Sequence, residues 1–147
     1  MTKQAIALAS DHAGFEQKQL LAAFLREKGH LVADLGPTSD ARVDYPDFAA
    51  LVGAALASGA ADVGILICGT GIGMAIAANK LAGIRAANVT DPAFAELARA
   101  HNDANVLTLS ARLVPPQTNQ AIVETFLATP FAGGRHAERL AKIAQLE

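Results

Sequence analysis

The chain has a single cysteine, Cys68, among 147 residues. No intramolecular disulfide can form, so the fold has no need of an oxidising compartment. Charge is scarce as well: 18% of residues are Asp, Glu, Lys or Arg, with a formal net charge of −2. That balance gives no electrostatic basis for nucleic acid as a partner. Low charge beside a 52% hydrophobic content also argues against extensive disorder. Long apolar runs are missing. The longest uncharged stretch, around Gly64–Asn79, is broken by glycines and falls short of a bilayer-spanning helix. Near the N-terminus the apolar run is too short for a signal peptide and meets Asp11 and His12 directly. With no internal repeat, low-complexity tract or linker, the sequence reads as one soluble, cytoplasmic domain over residues 1–147, with no membrane partner.

Further absences narrow the chemistry. His12, His30, His101 and His136 show no ligand spacing such as H-E-x-x-H, so no metal is expected. The glycine-rich segment is G-x-G-x-G over Gly69, Gly71 and Gly73. It is not the dinucleotide fingerprint, because Met74 and Ile76 stand where a further glycine is needed. No Gly-Lys-Ser/Thr follows, which excludes a Walker A loop. One nucleotide-like feature survives in Asp91, which follows the next strand about 20 residues on, where a ribose-binding acid would lie.

What is present is an alternation. Apolar runs at Ala5–Ser10, Leu31–Leu35, Val63–Cys68, Ile84–Val89 and Val106–Ser110 read as strands buried on both faces. Amphipathic segments at Phe15–Lys28, Phe48–Ser58, Met74–Leu81, Pro92–Ala100 and Gln117–Ala128 read as helices between and after them. A last helix, Arg135–Gln145, has no strand to return to and is free to pack on a second subunit. The pattern predicts a five-stranded parallel sheet with helices on both faces. The stretch Gly36–Phe48 is long for a connection, and such loops are often functional. In open parallel sheets ligands bind at the strands' carboxyl ends, which directs attention to Asp11–His12, Cys68–Gly73, Thr90–Asp91 and Ala111–Arg112.

Each polar cluster has two readings. The amides of Gly69–Gly73, with a helix start behind them, form an anion cradle, and Cys68 stands where such a cradle favours a thiolate. Cysteine is equally at home as a small buried hydrophobe. Asp11 is suited to helix capping, with His12 incidental. His101, Asn102 and Asp103 between a helix and a strand can simply build a turn. Arg135 and Arg139 lie one turn apart at a helix start, where cations oppose the macrodipole. A bound anion reverses that sign; a solvated face balanced by Glu138 is the alternative.

Taken together, "ASDHAGFEQK", "VDYPDFA", "GILICGTGIGMAIAANKLAGIRAA", "ARAHNDANVL" and "FAGGRHAERLAKI" resemble, in order and spacing, the type B ribose-5-phosphate isomerase family, which includes galactose-6-phosphate isomerase subunits. The resemblance spans essentially the full length. It implies a three-layer α/β/α Rossmann-like sandwich with an extra C-terminal helix, and a homodimer or tetramer with active sites shared between subunits. It implies a sugar-phosphate substrate and no cofactor. By position, Cys68 matches the general base that moves a proton between carbons 1 and 2. Gly69, Thr70, Gly71, Ile72 and Gly73 match the loop that holds the enediolate oxygens, with Thr70 among the catalytic groups. His101 matches the residue that helps open the furanose ring, with Asn102 beside it. Asp11 and His12 match sugar- and phosphate-contacting positions, and Tyr45 lines the pocket. Arg112, Arg135 and Arg139 match phosphate ligands, with His136 close to them.

Two departures stand out. One branch of the family uses a glutamate in the glycine loop; Met74 occupies that position here, leaving Cys68 as the loop's only candidate base. Ser110 stands where glycine is frequent, a minor change that could shift the Arg112 backbone. Aldose–ketose isomerisation needs a base, oxyanion donors, a ring-opening group and a phosphate anchor, and the named residues provide one group for each. The resemblance points first to ribose 5-phosphate. A hexose-phosphate isomerase acting on allose or galactose 6-phosphate, and a non-catalytic sugar-phosphate or nucleotide-binding module, are the alternative readings.

Overall fold

The structure, a computed structural model, describes residues 2–147. Five strands, β1 (Ala5–Ser10), β2 (Leu31–Asp34), β3 (Val63–Cys68), β4 (Ala86–Asn88) and β5 (Val106–Ser110), form one parallel sheet in the order β2-β1-β3-β5-β4. Six helices accompany them: α1 (Phe15–Glu27), α2 (Tyr45–Ala57), α3 (Ile72–Ala78), α4 (Pro92–Ala100), α5 (Pro116–Ala128) and α6 (Arg135–Ala144). Leu21 and Leu25 of α1, Ala95 and Ala98 of α4, and Ile122 and Phe126 of α5 pack on one face of the sheet. Ala49 and Val52 of α2, with Met74 and Ala78 of α3, cover the other. This is the α/β/α sandwich expected from the alternation. No helix among the described residues is long and apolar enough to cross a membrane.

All six residues of β3 are buried, and so are all five of β5, which places these strands at the centre. The expectation that every strand is buried on both faces fails for β2. It lies at the sheet edge with Leu31 59% exposed, and four residues suffice for its pairing with β1. At the other edge, β4 is three residues long instead of six. Its flanks are diverted: the Ile84 N–H donates to Leu81 O, and the Arg85 N–H to Asn105 Oδ1.

Helix α2 starts at Tyr45, three residues before the expected start, because Pro46 in its first turn is already preset for helical φ. Helix α3 begins two residues early. Gly71, at φ 80°, turns the chain into the helix, and Thr70 Oγ1 accepts the Ile72 N–H at 3.1 Å. The helix stops at Ala78, since the Asn79 side chain bonds both the N–H and the carbonyl of Ala86. Helix α6 has no buried residue at all.

His30 is buried at 5% exposure, accepts the Gln4 N–H at Nδ1, and has no partner for Nε2. Burial holds its pKa below the ordinary imidazole value, so the native state keeps the ring neutral. The unfolded chain takes up that proton at about pH 6.5, so the native advantage is complete above that pH and is lost as pH falls below it. Urea midpoints measured at pH 7.5 and 5.5 should therefore fall on acidification, and His30→Gln, a neutral acceptor, should fall by less.

Candidate active site

The strand order reverses direction of growth between β1 and β3, which opens the crevice where such sheets bind ligands. The Asp11 N–H donates to Ile67 O across this point. Asp11 is buried, and its Oδ1 accepts the Gly14 N–H at 3.1 Å, so the side chain shapes the turn into α1. Its Oδ2 has no protein partner among the described residues. His12 Nδ1 lies 3.3 Å from both the N and the O of Val43, fixing the ring to the long loop. That loop is anchored at its start, where Ser10 N–H donates to Gly36 O and Gly36 N–H to Asp34 Oδ1. The buried Lys18 pairs with the same carboxylate at 2.7 Å. The loop ends at Tyr45, whose ring lies so close to Gly73 that a Cβ there would sit 2.6 Å from Cζ.

Cys68 closes β3 at 5% exposure, packed with Met74, Ala9 and Leu66. Its Sγ accepts the Gly71 N–H at 3.1 Å. Gly71 is doubly required: its φ is positive, and a Cβ would come within 3.0 Å of the Leu109 carbonyl carbon. The N–H groups of Thr70, Gly73 and Met74 find no acceptor among the described residues. The Met74 side chain is wholly buried, so the loop presents no second base.

Arg112 follows β5 and lays its guanidinium over Gly69, with Nη1 3.0 Å from where a Cβ would be. The Gly69 carbonyl accepts both the Arg112 N–H at 3.0 Å and the Ser110 hydroxyl at 2.8 Å. Ser110 Oγ also accepts the Leu113 N–H at 3.0 Å. The expectation that this serine is a minor change is thus too weak, because it ties the glycine loop to the Arg112 loop. Behind it, Asn119 Nδ2 donates to Ser110 O and Gln17 Oε1, and Gln17 Nε2 donates to Ala111 O. Sequence reasoning missed Gln17 and Asn119; a buried amide on an otherwise apolar helix face was the available signal. Asp91, the ribose-acid candidate, caps α4 by accepting the Ala93 N–H at 2.8 Å.

A second cluster forms elsewhere. His101 is the C-cap of α4, and its ring stacks on His136 of α6 at 4.3 Å between centroids and 14° between planes. Partial burial, then the charges of His101, Arg135 and Arg139, hold the His136 pKa below the usual imidazole value. Arg135 and Arg139 form no salt bridge with any carboxylate among the described residues, Glu138 included. Asn102, next to His101, lines a cleft of about 710 Å³ together with Asn79, Arg85 and Ile143.

Topology separates the two clusters. Cys68, Asp11 and Arg112 sit at the carboxyl ends of their strands. Helix α4 starts beyond β4 and runs back, so His101 stands at the opposite edge, where Asn105 leads into β5. The Ala132 N–H donates to Ala100 O, which brings the start of α6 to that same edge. Strands of this length put about 17–20 Å between the two edges. Within one chain, Cys68, Asp11 and Arg112 therefore lie at the opposite end of the sheet from the His101–His136 stack. Among the described residues no three His, Cys, Asp or Glu side chains are grouped to hold a metal ion.

The chain matches the family model described as Ribose/Galactose Isomerase over residues 6–143. It is 46% identical over 142 residues to ribose-5-phosphate isomerase B of Escherichia coli K12, covering 97% of this chain and 95% of that one. A crystal structure of a ribose 5-phosphate isomerase from Thermotoga maritima superposes with a TM-score of 0.96 at 51% identity, covering 98% of this chain and 99% of that one. Ribose-5-phosphate isomerase B from Mycoplasma genitalium, solved with bound ribulose-5-phosphate, gives 0.92 at 47% identity, covering 97% and 95%. With its sheet, glycine loop and near full-length matches in agreement, the chain belongs to the ribose/galactose isomerase family.

Proposed function

We propose that this chain is an aldose–ketose isomerase that interconverts ribose 5-phosphate and ribulose 5-phosphate through an enediolate. The observation that carries this reading is the buried Cys68 Sγ beside a loop whose Thr70, Gly73 and Met74 amides are unpartnered. Sulfur already accepts the Gly71 N–H there, which fixes it at the mouth of the loop. The thiolate takes the carbon 2 proton of the open-chain aldose and returns it to carbon 1. Loop amides and the Thr70 hydroxyl receive the charge that develops on oxygen. Asp11 Oδ2 and His12 are placed for sugar hydroxyls, and Tyr45 walls the same crevice. The M. genitalium relative with bound ribulose-5-phosphate supports the substrate assignment.

Ring opening and part of the phosphate anchor belong to the other half-site, with His101, Asn102, Arg135, His136 and Arg139. Since the length of the strands separates the halves within one chain, the active unit is a homodimer or larger. Each complete site joins Cys68 of one protomer to His101 of its partner. The whole of residues 1–147 acts as one domain, and the lone thiol suits a reducing cytoplasm.

A coupled assay with ribose 5-phosphate, allose 6-phosphate, galactose 6-phosphate and unphosphorylated ribose tests this reading. Ribose 5-phosphate should give the highest kcat/KM, by about tenfold or more over either hexose, the usual scale for one extra carbon unit in a fitted pocket. A hexose preference would reassign the substrate within the family. Binding without turnover of any sugar would leave only a binding module.

A further inference from the structure

We infer that Asp103, held by Arg85 and Arg99, is a positioning residue that sets His101 for ring opening and for no other step. The inference rests on the reading of His101 given above. Asp103 is the one non-glycine residue at positive φ among the described residues, at 44°. It ends the turn His101–Asn102–Asp103 that follows α4, and its N–H donates to Arg99 O at 3.2 Å. A left-handed residue just past a helix end is ordinarily glycine, which adopts that conformation without strain. Here an aspartate accepts the strain, and every acceptor on it is in use. Oδ1 takes Arg99 Nη1 at 3.0 Å, Oδ2 takes Arg85 Nη2 at 3.4 Å, and the carbonyl takes Arg85 Nε at 2.9 Å.

The two arginines are themselves fixed. Arg99 Nη1 also donates to Ala104 O, and its guanidinium lies 5.5 Å from the Phe126 ring centroid. The Arg85 N–H is held by Asn105 Oδ1 at 2.8 Å. The turn is therefore tied to the start of β4 on one side and to α4 on the other. His101, two residues before Asp103, takes its backbone direction from this clamp, and its ring completes the stack on His136. Glycine would satisfy the backbone equally well, so the carboxylate has a task beyond making the turn: it removes the freedom glycine would add.

Ring opening of the furanose moves one proton. The hydroxyl at carbon 1 gives its proton to the imidazole, and the O–H electron pair becomes the carbonyl π bond. The bond from carbon 1 to the ring oxygen breaks with its pair on that oxygen, which takes a proton from the imidazole. Ribulose 5-phosphate has its carbon 5 oxygen esterified and cannot close to a furanose. Exchange of its carbon 1 proton with solvent needs the enediolate step alone.

Asp103→Gly should therefore split two readouts. Turnover of ribose 5-phosphate should fall by about tenfold or more, part of the 10²- to 10⁴-fold that positioned proton transfer contributes. Tritium exchange from solvent into ribulose 5-phosphate should stay within about twofold of the original protein, since the carbon-acid base is untouched. Asp103→Asn, which keeps shape and tolerates positive φ, guards against loss of folding and should show the same split. Equal losses in both readouts, or no loss in either, overturn the inference. His101→Ala run alongside separates the causes: a split there without one at Asp103 sinks the positioning role alone. No split at His101 overturns the ring-opening reading and this inference together.

Discussion

Replacing Cys68 by serine is expected to lower turnover by about 100- to 10,000-fold, the usual contribution of positioned proton transfer. Serine keeps the size of the side chain and can accept the Gly71 N–H that the sulfur accepts at 3.1 Å. It lacks an acidic proton near neutral pH, so the base is lost while the loop stays in place. Phosphate affinity should hardly change, because the proposed phosphate ligands Arg112, Arg135 and Arg139 are untouched. A cysteine kept for packing would behave differently, since the swap would then cost modest stability and leave catalysis near normal. Solvent-tritium entry into recovered substrate reads the proton step directly. If the folded serine protein exchanged at more than about a tenth of the original rate, well above the loss expected for a missing base, Cys68 could not be the base.

The second large effect is a gain. Cys68→Ala and His101→Ala should each be inactive alone, yet active when mixed. In a twofold-symmetric dimer with shared sites, a mixed pair carries one site with both changes and one with neither. Random exchange makes about half the dimers mixed, each with one intact site of two, so about one quarter of the original activity should return. Subunit exchange has to be verified independently, for instance with a mass-tagged copy. Verified exchange with no recovery would mean that each chain builds its own site, against the separation of Cys68 and His101 by the sheet.

The interior of this fold was legible because its strands are unambiguous. Ala5–Ser10, Val63–Cys68 and Val106–Ser110 coincide with the observed strands, since unbroken apolar runs of five or six residues serve one structure. The edges were less legible. β2 and β4 end where hydrogen bonds are diverted, as at Arg85 and Asn105, and apolar periodicity carries no trace of such diversion. The early start of α3 depends on the left-handed Gly71 and the Thr70 hydroxyl, a local geometry that a helical apolar pattern does not report. Among the candidate residues, the carboxyl-end rule pointed to Asp11, Cys68 and Arg112, which the structure brings to one end of the sheet, and to Asp91, which caps α4. The assembly of His101 with His136 lay outside that rule, because it rests on where α6 returns, and that is decided by packing. Gln17, Asn119 and the clamp on Asp103 act through hydrogen bonds between distant segments, which no single stretch of sequence displays.

The Gly69 carbonyl holds two donors, one from the Ser110 side chain and one from the Arg112 backbone. Electron density drawn to that oxygen comes through its own peptide unit, and the N–H at the far side of the unit belongs to Thr70. Chained hydrogen bonds of this kind strengthen one another. In the proposed reaction the Thr70 amide thus meets the growing negative charge already polarised, with its plane locked from behind. Little dipole is left to turn as the charge moves, so the reorganisation that water would undergo at this point was completed when the chain folded. In that reaction Ser110, a strand residue given no contact to the sugar, would share in lowering the barrier through the Gly69 carbonyl.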